Sequence, residues 1–380
     1  MSAAGETMML GNMRRAVGRA GCLGPLLALS GCMTTDSGGP MSPAEERELI
    51  DEVQAVVDRA GKIHELTFPI LTANVDVCGE RVRPTIGATW ITEADLDGWP
   101  TRRRVVAKAH FGIGQRPVLD DVVDGGPAAA AGLRRWDTIS SIDGNAVPQG
   151  GRRSEVAEIL ESAAGDGRIE FAYERDGETA LAEVTPVMAC DVRVVLVDDG
   201  EPTAFVDGHD IYVTTGLYLT EAEAALQAVV AHQLAHIVAG HVRAQKARRA
   251  VGASVDVGVT VAVNVLMMLG AAAAAAGGDD IGSDLPFFST GGFFSEMAGR
   301  MFTHRNEREA DDLSLPMLER AGVSVSDAVG FWRDLAAEPG DLAAFVEKHP
   351  VNDERLDHLD ATLARIEDGP VSIEPPVAEK

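Results

Sequence analysis

Two pairs of side chains that can ligate a metal, each pair spaced four residues apart, constrain this sequence more than any other feature. His232 and His236 lie in an apolar run with helical periodicity, and four residues are about one helical turn, so both imidazoles project from the same side. Glu307 and Asp311 have the same spacing in a second helical run. A fold that unites these four side chains must pack two distant helices against each other.

Local signals predict where the two helices begin and end. Thr220 and Glu223 form a capping box, which predicts that the first helix starts there. Gly322 is a predicted C-cap of the second helix. The first helix is expected to bury one apolar stripe, which consists of Leu226, Val229, Val230, Leu234 and Ile237.

The ligand types in this pattern indicate zinc. Two histidines and a glutamate are a ligand set of catalytic zinc, which leaves the fourth position to water. His232, His236 and Glu307 are therefore the predicted ligands, and Asp311 is predicted to accept a hydrogen bond from a ligating imidazole and fix its orientation. His241 is not expected to be a ligand, because on a continuous helix it turns away from the face of the pair.

This part of the chain resembles the gluzincin metallopeptidases of family M48, which include the HtpX- and Oma-type proteases and their periplasmic lipoprotein relatives. The resemblance spans roughly residues 190–365 and keeps the family's order along the chain. It rests on Val230 to His236 with Gly240-His241, on Glu307-Arg308-Glu309-Ala310-Asp311, on Val206-Asp207-Gly208, and on His349-Pro350 with Arg355.

The resemblance implies roles for several of these positions. It selects Glu307 over Glu309 as the carboxylate ligand, and it implies that residues 209–214 are the sheet edge that receives substrate as an added strand. It also implies that His349 lies over the active site, where the imidazole steadies an oxyanion or latches the metal. The alternative is that His349, next to Pro350, is a surface turn residue.

One position departs from the family motif, His-Glu-x-x-His. The motif's glutamate is the general base that takes a proton from zinc-bound water, but this chain has Gln233 there. An amide can hold water by hydrogen bonds and cannot take up its proton. We therefore expect zinc to bind and hydrolysis to be weak or lost, a pattern typical of a pseudoprotease.

Residues 105–188 form a second unit of β-type runs punctuated by glycine. A helix is predicted at about 153–163, followed by two strands that join at Asp176-Gly177. The unit resembles a PDZ domain, and the resemblance rests on Gly126-Pro127-Ala128-Ala129, Ala131-Gly132-Leu133, Asp137, Ile139 and Asp143-Gly144.

The PDZ resemblance implies a site for extended peptides, which such domains bind as an added strand. Phe111, Gly112, Ile113 and Gly114 stand where these domains keep the loop that binds a C-terminal carboxylate. Trp136 occupies a place usually held by glycine, which puts the geometry of that turn in question. The alternative is that the unit only spaces or shields the neighbouring domain.

The first 32 residues indicate an export signal, with Arg14, Arg15 and Arg19 before a short apolar run. Its end, Leu29-Ser30-Gly31-Cys32, resembles a lipobox, which implies that Cys32 carries lipid; an ordinary cleaved signal is the alternative. Met33 rather than Asp after that cysteine implies the outer membrane over the inner one. Residues 33–43 are expected to be a tether.

The remaining cysteines fit an oxidising compartment. Cys22 lies inside the signal, so the mature chain retains Cys78 and Cys190 besides the lipidated residue. They form either a disulfide or two buried thiols.

An apolar stretch at 257–276 carries no charge and has the length of a membrane span. A single crossing there would put His236 and Glu307 on opposite sides of the membrane. We therefore expect a buried or membrane-skimming helix, and the phenylalanines near 287–294 form either a lid, a lipid contact or part of the core.

The formal net charge of −26 disfavours nucleic-acid binding, because the phosphate backbone repels so acidic a chain. The predicted fold class is α+β: a mainly helical gluzincin-type metallopeptidase domain with a small sheet at 189–370 and a mostly β PDZ-like domain at 105–188. An N-terminal helix and connecting segment occupy 44–104, and the helix itself is predicted from Ala44 to about Arg59.

Three functions fit these features. The leading one is a zinc-binding metalloendopeptidase-like lipoprotein in protein quality control at the periplasmic face of the cell envelope, where unfolded or misassembled proteins arrive as peptide strands. The second is a chaperone or adaptor that binds peptides without cleaving them. The third is a scaffold in which the metal only holds two helices together.

Overall fold

The computed structural model describes residues 40–245, 302–369 and 371–373. The fold class is α+β, as predicted. The helices are α1 (Pro43–Ala73), α2 (Thr101–Phe111), α3 (Pro127–Ala130), α4 (Arg153–Ala163), α5 (Thr215–Thr220), α6 (Glu223–Val238), α7 (His304–Arg320), α8 (Val325–Ala337), α9 (Ala343–Lys348) and α10 (Asp353–Glu367). The strands are β1 (Val82–Thr85), β2 (Ala88–Ile91), β3 (Val118–Val122), β4 (Thr138–Ile142), β5 (Asn145–Ala146), β6 (Ile169–Arg175), β7 (Glu178–Val184), β8 (Val187–Cys190), β9 (Val194–Val197), β10 (Ala204–Val206) and β11 (Ile211–Thr214).

Helix α1 is longer than the sequence suggested. It begins at a capping box in which Ser42 Oγ accepts from the backbone N–H of Glu45, and it runs past Arg59 to Ala73. Gly61, within the added part of the helix, is a point of close packing, since a Cβ there would lie 2.7 Å from a carboxylate oxygen of Asp121. The first half of α1 packs with α2 and the second half with the core around β9–β11.

The PDZ-like unit is built on a sheet with strand order β2-β3-β4-β6-β7, and β5 pairs with β4. Helix α4 spans the predicted residues, and the β6–β7 hairpin turns at Asp176 and Gly177 with φ values of 54° and 81°. Both positions need positive φ in a tight hairpin turn, which an Asp-Gly pair supplies at low cost.

Trp136 keeps the turn that glycine makes in similar domains. Its φ is 74°, in the left-handed region, which costs a non-glycine residue about 1–2 kcal/mol. The ring centroid of Phe111 lies 4.9 Å from that of Trp136, and the Arg135 guanidinium lies 4.9 Å from the same ring. These contacts offset part of the backbone strain.

The expected carboxylate-binding loop has another role in the structure. Phe111 ends α2, Gly112 closes that helix with φ 68°, and the side chains of Phe111 and Ile113 are buried in a cluster with α1. One outer strand of the described PDZ sheet is β2, which follows Thr85-Ile86-Gly87, and the other is β7. The side chains of Phe111 and Ile113 therefore support packing, and peptide binding by residues 111–114 is not supported.

A small sheet with order β10-β11-β9 supports the C-terminal helices. Strand β11 pairs antiparallel with β10 and parallel with β9. The expectation that residues 209–214 form a receiving edge is wrong, because both sides of β11 are already hydrogen-bonded. Side-chain alternation showed a strand there but carried no information about its neighbours.

Cys78 and Cys190 form a disulfide, with a Cα–Cα distance of 5.6 Å. It lies beside the two-stranded ribbon of β1 and β8, in which Val82 pairs with Cys190. The bridge ties the chain just after α1 to the strand that precedes β9.

Helix α6 starts without the predicted capping box. Thr220 ends the short helix α5, and its hydroxyl donates to the carbonyl of Gly216 at 2.9 Å. The N-cap of α6 is Ala222, which has no side-chain acceptor. The sequence signal failed because a helical turn precedes α6 and engages the threonine.

The described helices include none that is both long and apolar enough to cross a bilayer. The predicted lipidation site at Cys32 and the apolar stretch at 257–276 lie outside the described residues.

Candidate metal centre

Helix α6 places both predicted histidine ligands inside the protein. His232 and His236 are fully buried, and their Nε2 atoms lie 3.1 Å apart. The helix buries residues on every side, including Ala231 and Leu234, so the imidazoles face a closed interior. The spacing of one turn has the geometric effect expected from the sequence.

Helix α7 supplies the carboxylate. Thr303 caps this helix by accepting from the N–H of Asn306, which fixes the first turn, where Glu307 lies. Glu307 Oε2 lies 3.2 Å from Nε2 of His232, and Oε1 lies 3.4 Å from Nε2 of His236. The structure thus brings the three predicted ligands together.

His349 joins the same cluster from the residue that follows α9. Its side chain is 2% exposed, and Nδ1 lies 3.2 Å from Glu307 Oε1. One ligand atom from each of His232, His236, Glu307 and His349 can be chosen so that all four atoms lie within 4.8 Å of one another. His349 is therefore a buried member of the site, and the surface-turn alternative is excluded.

The donor set suits zinc. Imidazole nitrogens and a carboxylate oxygen are its usual non-thiolate ligands, and four donors at this spacing can surround a tetrahedral ion. In the part of the chain that the structure describes, the buried Oε1 of Gln233 has no hydrogen-bond partner, while Nε2 of the same amide lies 3.0 Å from Nε2 of His349. The residues present are able to bind a metal ion, consistent with zinc.

Asp311 holds the far side of His232, as the sequence suggested. Its Oδ1 lies 3.1 Å from Nδ1 of His232. Arg355 donates to both oxygens of Asp311, at 2.7 and 2.9 Å, and its Nη1 lies 2.9 Å from Glu307 Oε2. The guanidinium also lies 4.5 Å from the ring of Trp332. Arg355 therefore connects the ligand carboxylate to the carboxylate behind it.

His241 lies behind His236, although a continuous helix would have turned it away. The two Nδ1 atoms are 2.8 Å apart. Helix α6 ends at Val238, and Gly240, with φ 69°, breaks the helix before a second helical segment begins at His241. Gly240 was visible in the sequence, and treating it as a helix stop would have predicted that the helix does not continue to His241.

Electrostatics favour the ionised form of Glu307 and shift the pKa values of His232 and His236 in opposite directions. Burial raises the pKa of Glu307, but the His349, His232 and His236 rings outweigh it and hold the pKa well below its usual range. Burial lowers the pKa of His236 well below its ordinary value. For His232, burial also lowers the pKa, but Asp311 and Glu307 outweigh it and raise the pKa above its ordinary value.

Gln233 occupies the position of the general base inside this cluster. It is fully buried, and its Nε2 lies 3.0 Å from Nε2 of His349. An amide hydrogen-bonds here without accepting a proton. The arrangement can hold a cation and polarise a bound group, but it lacks a carboxylate at the position from which water would be deprotonated.

Comparison with known proteins agrees with this geometry. Residues 178–363 match peptidase family M48, and residues 118–175 match the PDZ domain. The chain is 30% identical over 168 residues to metalloprotease LoiP of Escherichia coli strain K12, an alignment that covers 44% of this chain and 60% of LoiP. It is 26% identical over 182 residues to metalloprotease YcaL of the same organism, which covers 47% of this chain and 63% of YcaL.

Both alignments span less than two thirds of the relatives' lengths. The buried cluster nevertheless lies within the residues that match the family, and the similarity supports a metallopeptidase-like function. This chain therefore carries a domain of peptidase family M48 together with a PDZ domain.

Proposed function

We propose that the chain is a zinc-binding, lipid-anchored protein of the cell envelope that handles unfolded or misassembled polypeptides and hydrolyses them slowly or not at all. The observation that carries the proposal is Gln233, which lies buried beside a complete set of ligands. Zinc at this site would supply Lewis-acid polarisation of a bound carbonyl or water.

The missing base limits the rate. General-base help contributes typically about 10²–10⁴-fold, so its loss leaves the polarising effect of the site without efficient proton transfer. Arg355 and Asp311 keep the ligand geometry intact, because they hold Glu307 and His232 from behind. The expected consequence is normal metal binding with little turnover.

The contact between Gln233 and His349 decides whether His349 can be a fourth ligand or leaves a position open to water. Catalytic zinc keeps an open position, whereas four protein ligands fill a structural site. As placed, the amide N–H donates to Nε2 of His349, and the ring then carries its proton on Nδ1, towards Glu307. A half-turn of the amide lets Oε1 accept from Nε2–H, which frees Nδ1 of His349 to ligate a metal.

The location rests on the sequence. The lipobox-like end of the export signal makes Cys32 the proposed anchor, and Met33 after it favours the outer membrane, with the folded part on the periplasmic side. The disulfide between Cys78 and Cys190 supports an oxidising compartment.

The proposed peptide-binding site is a cavity between the PDZ domain and strand β9. This cavity of about 550 Å³ is lined by residues of α1, β2, α4 and β9. Strand β2 is one of the two outer strands of the described PDZ sheet, the other being β7, and an extended polypeptide binds such strands through backbone hydrogen bonds. The cavity does not include Phe111–Gly114 among its lining residues.

A chaperone or adaptor that binds such peptides without cleavage is the second candidate, and Gln233 favours it. Elemental analysis for zinc and cleavage of a reduced, carboxymethylated protein, measured on one sample of the full chain, separate the candidates. Zinc with slow cleavage supports the weak peptidase, and zinc without cleavage supports the adaptor. Absence of zinc contradicts both, and it also contradicts a scaffold in which the metal holds two helices together.

A further inference from the structure

His241 occupies a defined place behind the metal centre. It is 4% exposed, and its Nδ1 lies 2.8 Å from Nδ1 of His236. That nitrogen of His236 is the one remote from the cluster, because Nε2 faces His232 and Glu307. On its other side, Nε2 of His241 lies 3.4 Å from Oε2 of Glu309 on α7.

The chain reaches this arrangement through a break between two helical segments. The backbone leaves α6 at Val238, turns through Gly240 in the left-handed region, and enters another helical segment at His241. The ring of Phe302 stacks on His236, with centroids 3.8 Å apart and planes at 19°. Phe302 fixes the face of the His236 ring, and His241 fixes its edge.

We propose that His241 is a positioning residue that sets the tautomer and orientation of His236 as a metal ligand, with Glu309 as the outer member of the chain of contacts. The inference rests on the proposed metal centre. It assigns no contact between His241 and the metal or the substrate.

Ligation of a metal by His236 determines which ring nitrogen carries the proton in His236 and then in His241. A metal on Nε2 of His236 requires a lone pair on that nitrogen, so the proton of the neutral ring lies on Nδ1. That N–H donates to His241, whose Nδ1 must therefore be the acceptor. The proton of His241 then lies on Nε2, on the side of Glu309.

The two ligating histidines thereby receive different partners. His232 faces the carboxylate of Asp311, and His236 faces an imidazole. Both partners orient a ligand, and loss of such a partner typically weakens metal affinity about 10–100-fold. A residue that only filled space would have no such effect on affinity.

The test measures zinc affinity of the full chain by competition with a chromogenic chelator, together with the visible spectrum of the cobalt-substituted protein. His241→Ala removes the acceptor and is expected to weaken zinc binding about 10–100-fold and to alter the cobalt spectrum. His241→Gln restores an acceptor oxygen and is expected to recover most of both. His358→Ala is the matched control, because His358 is a partly exposed histidine that contacts Asp312 on the outer side of α7.

Each outcome decides the inference. Weak binding by His241→Ala, with recovery in His241→Gln and wild-type behaviour in His358→Ala, supports it. Equal zinc affinity and equal spectra for wild type and His241→Ala overturn it and leave the metal centre standing. Failure of the wild type itself to bind zinc overturns the metal centre and this inference together. If His241→Ala does not fold, wild-type affinity in a folded His241→Gln supports the role of the acceptor, and affinity as low as that of a ligand variant contradicts it.

Discussion

Arg355 shows how strongly single residues of this site depend on one another. Its guanidinium is buried, and Asp311 and Glu307 neutralise it at distances of 2.9 Å or less. A buried charge that loses its partner is costly, because water no longer solvates it. The same contacts keep both carboxylates in place, so stability and ligand geometry are linked through one arginine.

Asp311→Ala is expected to lower the free energy of unfolding by about 3–5 kcal/mol, since it removes one of the two carboxylates that face Arg355. Urea denaturation of the metal-free protein measures the change. Asp312→Ala is the control, because Asp312 lies next along α7 with a 44% exposed side chain that pairs with Arg365, and exposed pairs contribute up to about 1 kcal/mol. Equal losses in the two variants would contradict this account.

Some of the site's residues could be predicted from the sequence and others could not. The spacing of His232 and His236 determines their common direction on a helix, so residue types were sufficient there. The place of His349 depends on how the segment after α9 folds over α6, a long-range property that spacing does not contain. The structure agrees that His241 is not among the grouped ligands, but its contact with His236 depends on the helix break at Gly240, which the spacing alone did not show.

At the scale of elements, the end of α6 decides what lies behind the site. A glycine in the left-handed region closes both α6 and α7, at Gly240 and Gly322, with φ values of 69° and 73°. Only the first of these turns leads directly into a residue that contacts a proposed ligand. The two glycines therefore offer a matched comparison between backbone strain and ligand positioning.

Gly240→Ala and Gly322→Ala are each expected to destabilise the fold by about 1–2 kcal/mol, because alanine is strained at positive φ. Only Gly240→Ala should also weaken zinc binding, since it shifts His241 relative to His236. Thermal unfolding and chelator competition on both variants measure the two effects. A loss of zinc affinity in Gly322→Ala of the same size would show that general destabilisation, not positioning, governs the site.

An element could be predicted where the residues that determine it lie close together in the sequence. The β6–β7 hairpin was visible because Asp176-Gly177 determines the turn locally. The start of α6 was predicted wrongly because the hydroxyl of Thr220 donates to the carbonyl of Gly216 within α5 and does not cap α6. The neighbours of β11 could not be read at all, since pairing joins segments that are remote in sequence.

At the scale of the whole molecule, α1 and the disulfide connect the parts of the chain. Helix α1 contributes to the core of the M48 domain through Ile63, Leu66 and Ile70, and its first half packs with α2. The segment at 44–104 is thus more than a connection, because β1 pairs with β8 and β2 joins the PDZ sheet. Only long-range contacts reveal this.

Removal of the disulfide is expected to lower the free energy of unfolding by about 2–5 kcal/mol, because the bridge closes a long loop, with 112 residues of separation. The double variant Cys78→Ser with Cys190→Ser is compared with the wild type by urea denaturation. When the oxidised wild type is treated with an alkylating reagent, its mass should show no modification at Cys78 or Cys190. Two alkylated thiols at Cys78 and Cys190 in protein from an oxidising compartment would contradict the bridge.

The central claim is that the metal centre is complete except for its base. The most direct test compares the rate at which zinc-loaded wild type and Gln233→Glu cleave the same unfolded protein, with zinc content matched. The account predicts that Gln233→Glu is faster by about 10²–10⁴-fold, because a carboxylate at this position can take up the proton of bound water. Equal rates at equal zinc content would contradict it.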